Sequence, residues 1–419
     1  MGSSTLKVNP FQPDAPVRTS VFTGRSAEIA QIRDTIVGTL RGQAAHVLVI
    51  GERGIGKTSL TQYVVELALS PDVIEAAGDV SPPIVLFVSL GYCGNLADVC
   101  AAVLNEAYRW ARRGRSKVTN WFKNEVSKLD GVQVSLFGIG VSARLRADTD
   151  EAPRIFPELL EKFLITSEAP GLVVILDETE AIAQHDKFPG FLKATFETLG
   201  VRRVGNIEFV MTVTPEGRSR MANAHPSFPR LFRPITIEGL SGDEVTDLVR
   251  RALEEGEPRK TTSPEFLEAM RHYSSGIPSF VHEIGRAAFE VDSDNILDDD
   301  DFASAVVGTD DVVGALTVLE QKHFRERYSQ KILSNTYREI LHAMAELEIE
   351  NDEIATKEIR AKCPEVAQID PYLGNMVKRG VIMRVEGKRG IYRLPDRMFG
   401  VFLRMESQSR KASTRDRNS

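Results

Sequence analysis

The chain has 419 residues and a formal net charge of −7, with 42% hydrophobic and 26% charged residues. This composition predicts a soluble globular protein of two or three domains, and the net negative charge excludes a general polyanion binder. No apolar run is long enough for a transmembrane helix and no signal peptide is visible, so we expect no membrane contact. Three cysteines without metal-like or disulfide-like spacing favour a reduced, cytoplasmic compartment.

Residues 1–50 predict an arm, a helix and a buried strand. Residues 1–17 are polar and contain several prolines, which predicts a mobile arm. The sequence VFTGR (21–25) then leads into a helical pattern that ends near Leu40. The apolar run over 46–50 predicts a buried strand.

Directly after this strand, residues 51–58 read GERGIGKT and fit the phosphate-binding pattern G-x-x-x-x-G-K-[ST]. The glycines let the backbone turn tightly and aim successive N–H groups inward, and the predicted following helix adds the positive end of its dipole. Lys57 is expected to reach the β- and γ-phosphates, and the Thr58 hydroxyl to ligate Mg²⁺. The sequence therefore predicts an ATP–Mg²⁺ site formed by Gly51, Glu52, Arg53, Gly54, Ile55, Gly56, Lys57, Thr58 and Ser59.

Further apolar runs predict strands at 84–90, 171–176, 207–213 and 234–237, with helical patterns between them. Strands that alternate with helices indicate a parallel sheet covered by helices on both faces. Residues 132–146 instead alternate apolar and polar side chains around a Gly-Ile-Gly turn, which predicts a β-hairpin insertion.

The third of these strands, counting the one before the P-loop, ends in Asp177 and Glu178. Magnesium needs a carboxylate opposite the P-loop hydroxyl, and the attacking water needs a base near the γ-phosphate. We assign the first role to Asp177 and the second to Glu178, with an ordinary acid pair at a strand end as the alternative. In the fourth strand we favour Thr214 over Thr212 as the side chain that contacts the γ-phosphate or the water, and a threonine present only for its β-propensity is the alternative.

From Ser241 onward the pattern changes from strands to helices. Ser241 and Ser263 predict helix N-caps, Gly276-Ile277-Pro278 breaks the chain, and the acidic run 298–301 fits the first turn of a helix better than a metal site. Residues 320–404 then predict three helices followed by a hairpin, which is the order of a winged helix. The polar, basic segment after Glu406 predicts disorder.

The predicted winged helix is rich in positive charge. The segment from Pro371 to Arg404 contains eight basic residues and two acidic ones. Lys388 and Arg389 at the hairpin tip could enter a minor groove or bind phosphate, and Lys378 and Arg379 on the preceding helix could lie in the major groove. The alternative is that these charges form a solvated face while the hairpin packs on the core or binds protein.

Taken together, the motifs resemble those of the AAA+ ATPases and the related STAND ATPases over about residues 18–404. VFTGR, GERGIGKT, LVVILDE and the strand end at Thr214 carry the resemblance, together with a helical lid and a C-terminal winged helix. The order is similar to that of replication-initiator-like and archaeal-type ATPases. The resemblance implies an α/β P-loop NTPase with an arm at 1–17, an ATPase core at 18–240, a lid at 241–315, a winged-helix domain at 316–405 and a disordered tail at 406–419.

The resemblance also implies contacts with the nucleotide. Phe22 and Arg25 are expected to lie against the adenine, and Pro278 near the base and ribose. Ser279 stands where a AAA+ lid helix usually carries an arginine, and the nearest arginine on that helix is Arg286. In this respect the site is similar to the STAND variant.

An arginine finger, supplied in trans within a homo-oligomer, would be Arg230 or Arg233. The alternative is that both arginines are surface or capping residues.

These observations predict an ATPase that acts as a switch and couples its nucleotide state to DNA binding or remodelling through the winged helix. The alternative is a STAND-type signalling or defence switch that gates a protein effector without DNA. A small-molecule kinase is disfavoured, because the sequence offers neither an acceptor pocket nor lid arginines.

Overall fold

The computed structural model describes residues 8–124, 132–134, 143–145, 151–332 and 334–417. The chain divides into two compact units. The ATPase unit spans Pro16–Glu238, and the helical unit combines the N-terminal segment up to Ala15 with Gly239–Ser419. The segments predicted as lid and winged helix therefore belong to one unit.

The ATPase unit alternates strands and helices, as predicted. Its elements in chain order are α1 (Ser26–Leu40), β1 (Val47–Ile50), α2 (Lys57–Ala68), α3 (Pro71–Ala77), β2 (Ile84–Ser89), α4 (Leu96–Ala111), α5 (Ser116–Asn124), β3 (Val132–Val134), β4 (Ala143–Leu145), α6 (Glu151–Ser167), β5 (Leu172–Asp177), α7 (Phe188–Val201), β6 (Ile207–Val213), α8 (Pro215–Ala224) and β7 (Arg233–Thr236).

A five-stranded parallel sheet forms the centre of this unit, in the order β2-β5-β6-β1-β7. The strands β1, β5 and β6 are buried along their whole length, as in parallel sheets that have helices on both faces. The predicted α/β fold with a parallel sheet is confirmed. Because parallel strands end at the same edge, the loops after β1, β5 and β6 lie side by side, where ligands of such sheets bind.

Aromatic side chains fill much of the core on one face of the sheet. The ring of Phe163 in α6 lies 5.7 Å from Trp110 in α4 and 6.0 Å from Phe122 in α5, between ring centroids. Phe122 and Phe163 are both almost fully buried. This packing fixes the helices that flank β2 and β5.

The predicted hairpin insertion is present as the antiparallel pair β3 and β4, with Val132 opposite Leu145. The Gly-Ile-Gly turn predicted between them lies outside the described residues.

The helical unit contains α9 (Gly242–Glu254), β8 (Thr261–Thr262), α10 (Pro264–Ser274), α11 (Pro278–Val291), β9 (Ile296–Leu297), α12 (Asp299–Val307), α13 (Ala315–Leu319), α14 (Asn335–Leu347), β10 (Ile354–Ala355), α15 (Thr356–Lys362), α16 (Asp370–Lys378), β11 (Met383–Arg384), β12 (Ile391–Arg393) and α17 (Arg397–Arg417). Ser241 and Asp298 each form a capping box at a helix start. The acidic run 298–301 is therefore a helix cap and first turn, as predicted.

Helices α14, α15 and α16 form a winged-helix arrangement with a three-stranded sheet in the order β10-β12-β11. Strand β10 lies between α14 and α15, and β11 and β12 follow α16. In α17, Phe399 and Phe402 are buried together with Leu403, which makes this helix part of the same core.

The segment after Glu406 was predicted to be disordered, but the structure continues α17 through it to Arg417. The segment follows a well-packed helix start, and its Arg, Lys, Gln and Ala residues have high helix propensity. Polarity alone is therefore a poor guide here, because the buried first turns nucleate the helix.

The arm predicted at 1–17 is in part an ordered segment of the helical unit. Phe11 is 2% exposed, and a Cβ at Gly285 of α11 would lie 2.5 Å from its ring. The Asn9 side-chain amide donates to the Arg286 carbonyl at 3.0 Å, and Val8 and Glu257 exchange backbone hydrogen bonds of 2.8 and 3.1 Å. The buried ring of Phe11 and these hydrogen bonds thus hold residues 8–11 in the helical unit. Residues 1–7 lie outside the described residues.

Candidate nucleotide-binding site

The loop between β1 and α2 has a backbone that requires glycine. Gly54 and Gly56 have φ angles of 78° and 95°, in the left-handed region. A Cβ at Gly51 would lie 2.6 Å from Ile237 Cγ1, and the Gly51 N–H donates to the Val213 carbonyl at the end of β6, at 3.1 Å. The loop is therefore held against the sheet edge and leads directly into the N-terminus of α2, which favours anions.

Lys57, the first residue of α2, turns its ammonium group over this loop. Its Nζ donates to the carbonyls of Gly51 at 2.9 Å and Glu52 at 3.1 Å, and lies 3.8 Å from Glu180 Oε1. Burial lowers the pKa of Lys57, against the opposing effects of Glu180 and then Asp177. The charge is thus partly desolvated where a polyphosphate would bind, which strengthens its interaction with an anion. Glu180 was not predicted from the sequence.

Asp177 ends β5 and is 2% exposed. Thr212 in β6 donates its hydroxyl to Asp177 Oδ1 at 2.6 Å, and Thr179 donates its own hydroxyl to the Thr212 carbonyl at 2.5 Å. A buried carboxylate is costly unless hydrogen bonds or a cation compensate it, and oxygen is the ligand that Mg²⁺ prefers. Asp177 therefore fits the predicted metal role.

Asp177 would supply one ligand of a magnesium ion, and the remaining ligands would come from other groups. Over the described part of the chain, no three His, Cys, Asp or Glu side chains converge as a complete metal site. Thr58, at the second position of α2, nucleotide phosphates and water would supply the other oxygen ligands, as is usual for Mg²⁺.

Glu178 lies at the turn that follows Asp177 and is exposed. Its φ of 54° is in the left-handed region, which is uncommon for a residue other than glycine and is typical of strained functional positions. Ser89, which pairs with Asp177 in the β2–β5 register, donates its hydroxyl to Glu178 Oε2. The two neighbouring carboxylates therefore bind side chains on two different strands, Thr212 on β6 and Ser89 on β2.

Thr214 follows β6 and is the N-cap of α8, where its hydroxyl accepts the Gly217 N–H at 3.1 Å. The threonine that contacts Asp177 is Thr212. The Thr214 hydroxyl can still donate its own hydrogen while it accepts this bond. A contact from Thr214 to the attacking water stays a prediction.

The two candidate finger arginines are both exposed. Arg230 ends a short 3₁₀ turn that begins at Phe228, and Arg233 is the first residue of β7. A finger role in a neighbouring subunit stays a prediction for either residue.

A cavity of about 350 Å³ lies beside α2 and the segment that precedes α1. Phe22 stacks on Tyr63 with ring centroids 5.0 Å apart and an angle of 16° between the rings, and the Val17 N–H donates to Ser59 Oγ at 3.2 Å. Aromatic and polar groups together suit a purine base. The cavity is lined by Pro16, Val17, Arg18, Thr19, Phe22, Ser59, Gln62, Tyr63 and Glu66.

The residues expected against the adenine thus occupy different places. Phe22 lines this cavity, whereas Arg25 is buried and donates from Nη2 to the Ile55 carbonyl in the P-loop at 3.2 Å. Tyr63 was missed, although it lies one helical turn after Ser59 on the same face of α2.

Pro278, predicted to contact the base and ribose, is the first residue of α11 in the helical unit. The preceding Gly276 has a φ of 70°, and a Cβ there would lie 2.2 Å from the Leu240 carbonyl oxygen, so this bend requires glycine. A contact from Pro278 to the nucleotide stays a prediction.

The basic residues predicted to bind DNA are only partly available. Lys378 and Arg389 are exposed. Lys388 is exposed too, but its Nζ lies 2.6 Å from a Glu353 carboxylate oxygen. Arg379 donates to a backbone carbonyl at 2.9 Å and lies over the ring of Tyr337, so it has a structural role.

Comparison with known proteins agrees with this geometry. Residues 21–195 match the family described as "AAA ATPase domain". The structure is similar to that of the ORC2 protein of Aeropyrum pernix in ADPNP–ADP complexes, with a TM-score of 0.57 and 17% identity over 96% of this chain and 98% of that one. A Walker-type ATPase of Pyrococcus abyssi has a TM-score of 0.57 and 16% identity over 94% and 99%.

An uncharacterised HTH-type transcriptional regulator of Methanocaldococcus jannaschii is 36% identical over 61 residues. The match spans 14% of this chain and 15% of the length of that curated relative. Within the described residues, no helix is both long enough and apolar enough to span a bilayer.

The P-loop and the strand that ends in Asp177 and Glu178 both lie within the matched residues. The resemblance to AAA+ ATPases predicted from the motifs is therefore confirmed over residues 21–195, the part of the chain that matches the AAA ATPase domain.

Proposed function

We propose that this protein hydrolyses ATP with Mg²⁺ and that its nucleotide state controls how the winged helix engages DNA. The observation that carries the proposal is the convergence of the P-loop, Asp177 and Glu178 at one edge of the parallel sheet. Strand β6 lies between β1 and β5, and it contacts both sides of the site. The Val213 carbonyl at its end accepts the P-loop amide of Gly51, and Thr212 holds Asp177.

Each group has a separate role in this proposal. The loop amides and Lys57 bind and orient the phosphates, and Asp177 with Thr58 would hold Mg²⁺, which neutralises phosphate charge. Glu178 orients the attacking water and accepts its proton. Thr214 is the candidate contact to that water or to the γ-phosphate.

Exposed basic residues on both units support a DNA partner. Lys378 and Arg389 lie on the winged helix, and Arg112 and Arg113 lie after α4 in the ATPase unit. The fold is also that of the ORC2 protein, which supports a replication-initiator-like role for this chain. Lysine and arginine that neutralise phosphates make binding salt-dependent.

Fluorescence anisotropy with labelled duplex DNA tests the proposal. With ATP present, affinity should fall steeply as salt rises, and replacing ATP by ADP should change it at least threefold. The double variant Lys378→Ala/Arg389→Ala should lose about tenfold in affinity and flatten the salt dependence. Lys362→Ala, a control for a residue paired with Glu346, should bind normally. Binding that ignores both salt and these substitutions would refute the DNA role.

A homo-oligomer follows from the proposal if Arg230 or Arg233 acts on a neighbouring site. Turnover per subunit should then rise with protein concentration and fall strongly in Arg230→Ala or in Arg233→Ala. Arg218→Ala, on an exposed position of α8, is the matched control. Turnover that is independent of concentration and unchanged in both variants would exclude a finger in trans.

A STAND-type switch that gates a protein partner is the second candidate. Ser279 stands at the start of α11, where the resemblance to AAA+ ATPases implies an arginine. Lys388 and Arg379 are also held by contacts with Glu353 and the Lys331 carbonyl. Both features favour this candidate. This candidate predicts normal ATP turnover with no salt-dependent DNA binding, so the anisotropy experiment separates the two.

A further inference from the structure

A second cavity lies within the helical unit and is unused by the proposed nucleotide chemistry. It has a volume of about 630 Å³ and lies between α9, the loop that leads into β8, and α10. This volume is in the range of small-ligand pockets. Leu253 from α9 and Leu267 from α10 contribute apolar walls.

Three arginines line this cavity, and each comes from a different element. Arg250 lies on α9, Arg259 precedes β8, and Arg271 lies on α10. Glu254 is the acidic residue among the lining side chains. Arg271 also pairs with Glu268, whose carboxylate oxygen lies 3.2 Å from Nη1. These groups together therefore leave a net positive charge of about one, which favours an anion such as a phosphate monoester. Planar guanidinium forks also suit phosphate oxygens better than a lysine does.

The wall that carries Arg259 is rigidly held. The next residue, Lys260, is 6% exposed and donates to the carbonyls of Phe289 at 2.9 Å and Asp292 at 3.3 Å, and also to the Asp292 carboxylate. The Thr261 N–H then bonds the Asn295 carbonyl at 3.0 Å. Asp292 thus neutralises the charge of Lys260, and the role of Lys260 is to fix the loop.

The opposite wall is positioned as well. Arg271 donates from Nε to the Thr246 hydroxyl at 2.8 Å, and its Cδ would lie 3.4 Å from a Cβ at Gly242. Side chains held in this way lose little entropy when a ligand binds.

We propose that this cavity binds a phosphate monoester that carries an apolar or aromatic body. The arginines would bind the phosphate, and the leucine walls would contact the body. Such a group has two sources: a free nucleoside monophosphate, or the phosphorylated 5′ end of a nucleic-acid strand.

Calorimetry on the full chain tests the proposal. The P-loop is first saturated with a non-hydrolysable ATP analogue and Mg²⁺, and AMP is then titrated. We expect one further AMP site per chain, with at least tenfold weaker binding of adenosine. The same titration on Lys57→Ala separates this site from the P-loop, so failure of the proposed ATPase function would be recognised independently.

The double variant Arg250→Ala/Arg259→Ala should reduce AMP affinity at least tenfold. Arg251→Ala is the matched control, because Arg251 is the next residue on α9, is exposed, and pairs with Asp247 outside the cavity. Both variants replace exposed side chains, and unchanged melting temperatures would verify their folding. In the second arm, short single strands with a 5′-phosphate should bind better than their 5′-hydroxyl counterparts if a strand end is the source.

Preference for AMP alone, or for the phosphorylated strand as well, supports the proposal and identifies the source. The proposal is overturned if neither phosphate probe binds, if adenosine binds as well as AMP, or if the Arg250/Arg259 variant binds AMP like the control.

Discussion

The hydroxyl of Ser89, at the end of β2, donates a hydrogen bond to the carboxylate of Glu178, in the turn after β5. Glu178 also lies against Gly91, where a Cβ would be 2.9 Å from Glu178 Oε2. The bond occupies one of the two carboxylate oxygens that could accept a proton from the water. It therefore opposes the role of Glu178 as a base unless it is released when the water binds.

Removing this donor should activate the enzyme. In Ser89→Ala, Glu178 no longer has to break a charge-assisted hydrogen bond, and we expect basal ATP turnover to rise about three- to tenfold, with ATP affinity unchanged. Ser89→Thr keeps the hydroxyl and should stay near the native rate. Steady-state phosphate release measures both variants. A Ser89→Ala rate at or below the native rate would show that the bond does not restrain Glu178.

Lys57 and Glu178 should separate binding from chemistry. Lys57→Ala removes the ammonium group that the loop holds against phosphate, so ATP affinity should fall at least tenfold. Glu178→Gln keeps the size of the side chain but cannot accept a proton, so turnover should fall at least a hundredfold with ATP affinity within threefold of native. Calorimetry with single-turnover kinetics measures the two effects. Substantial turnover in Glu178→Gln would exclude it as the base.

Thr212 and Thr214, two residues apart, should differ in their effects. Thr212→Val removes the donor that orients Asp177, and hydrogen-bond partners that orient a metal ligand are worth about 10- to 100-fold in metal affinity or activity. The Mg²⁺ concentration for half-maximal turnover should therefore rise about tenfold or more. An unchanged Mg²⁺ dependence would mean that Asp177 is oriented without Thr212.

Thr214→Ala removes a helix cap and should cost about 1 kcal/mol in the free energy of unfolding. Thr214→Ser restores the cap and should recover that stability in chemical denaturation. Turnover decides the further role: a hundredfold loss in Thr214→Ala that Thr214→Ser rescues supports the contact with the water. A loss of stability alone would leave Thr214 as a cap.

The linear motifs explain why so much of the site could be predicted. The P-loop and the strand end at Asp177 are each encoded by neighbouring residues, so spacing alone identifies them. The alternation of apolar runs and helical patterns likewise predicts the parallel sheet. These features depend on local sequence, and the structure places them at one sheet edge.

The contacts between strands could not be predicted in the same way. Ser89 meets Glu178 because β2 and β5 are neighbours in the sheet, and strand order is absent from any single segment of sequence. The choice between Thr212 and Thr214 depends on how the backbone turns at the end of the strand, because that turn decides where each side chain lies. Phe11 shows the same limit, because its burial depends on Gly285, far away in the chain.

The buried position of Glu208 could not be predicted from the sequence either, because the residue is a single acid within an apolar strand. It is fully buried in β6, where its two oxygens accept hydroxyl hydrogen bonds from Thr35 at 2.7 Å and Thr39 at 2.8 Å on α1. Burial raises the pKa of Glu208 to about 7, against the opposing effect of these two bonds. The folded protein therefore favours the protonated carboxyl well above the pH at which an unfolded chain loses that proton.

This shift makes stability depend on pH. Because the folded pKa exceeds the unfolded value of 4.5, the folded state binds the proton more tightly. The resulting stabilisation is fully present below pH 4.5 and is lost as pH rises through about 7, by about 3 kcal/mol. Glu208→Gln cannot titrate, so the native-minus-variant difference in unfolding free energy should decrease between pH 5 and 8. Urea denaturation across that range measures it. A difference that stays constant would mean that Glu208 titrates alike in the folded and unfolded chains.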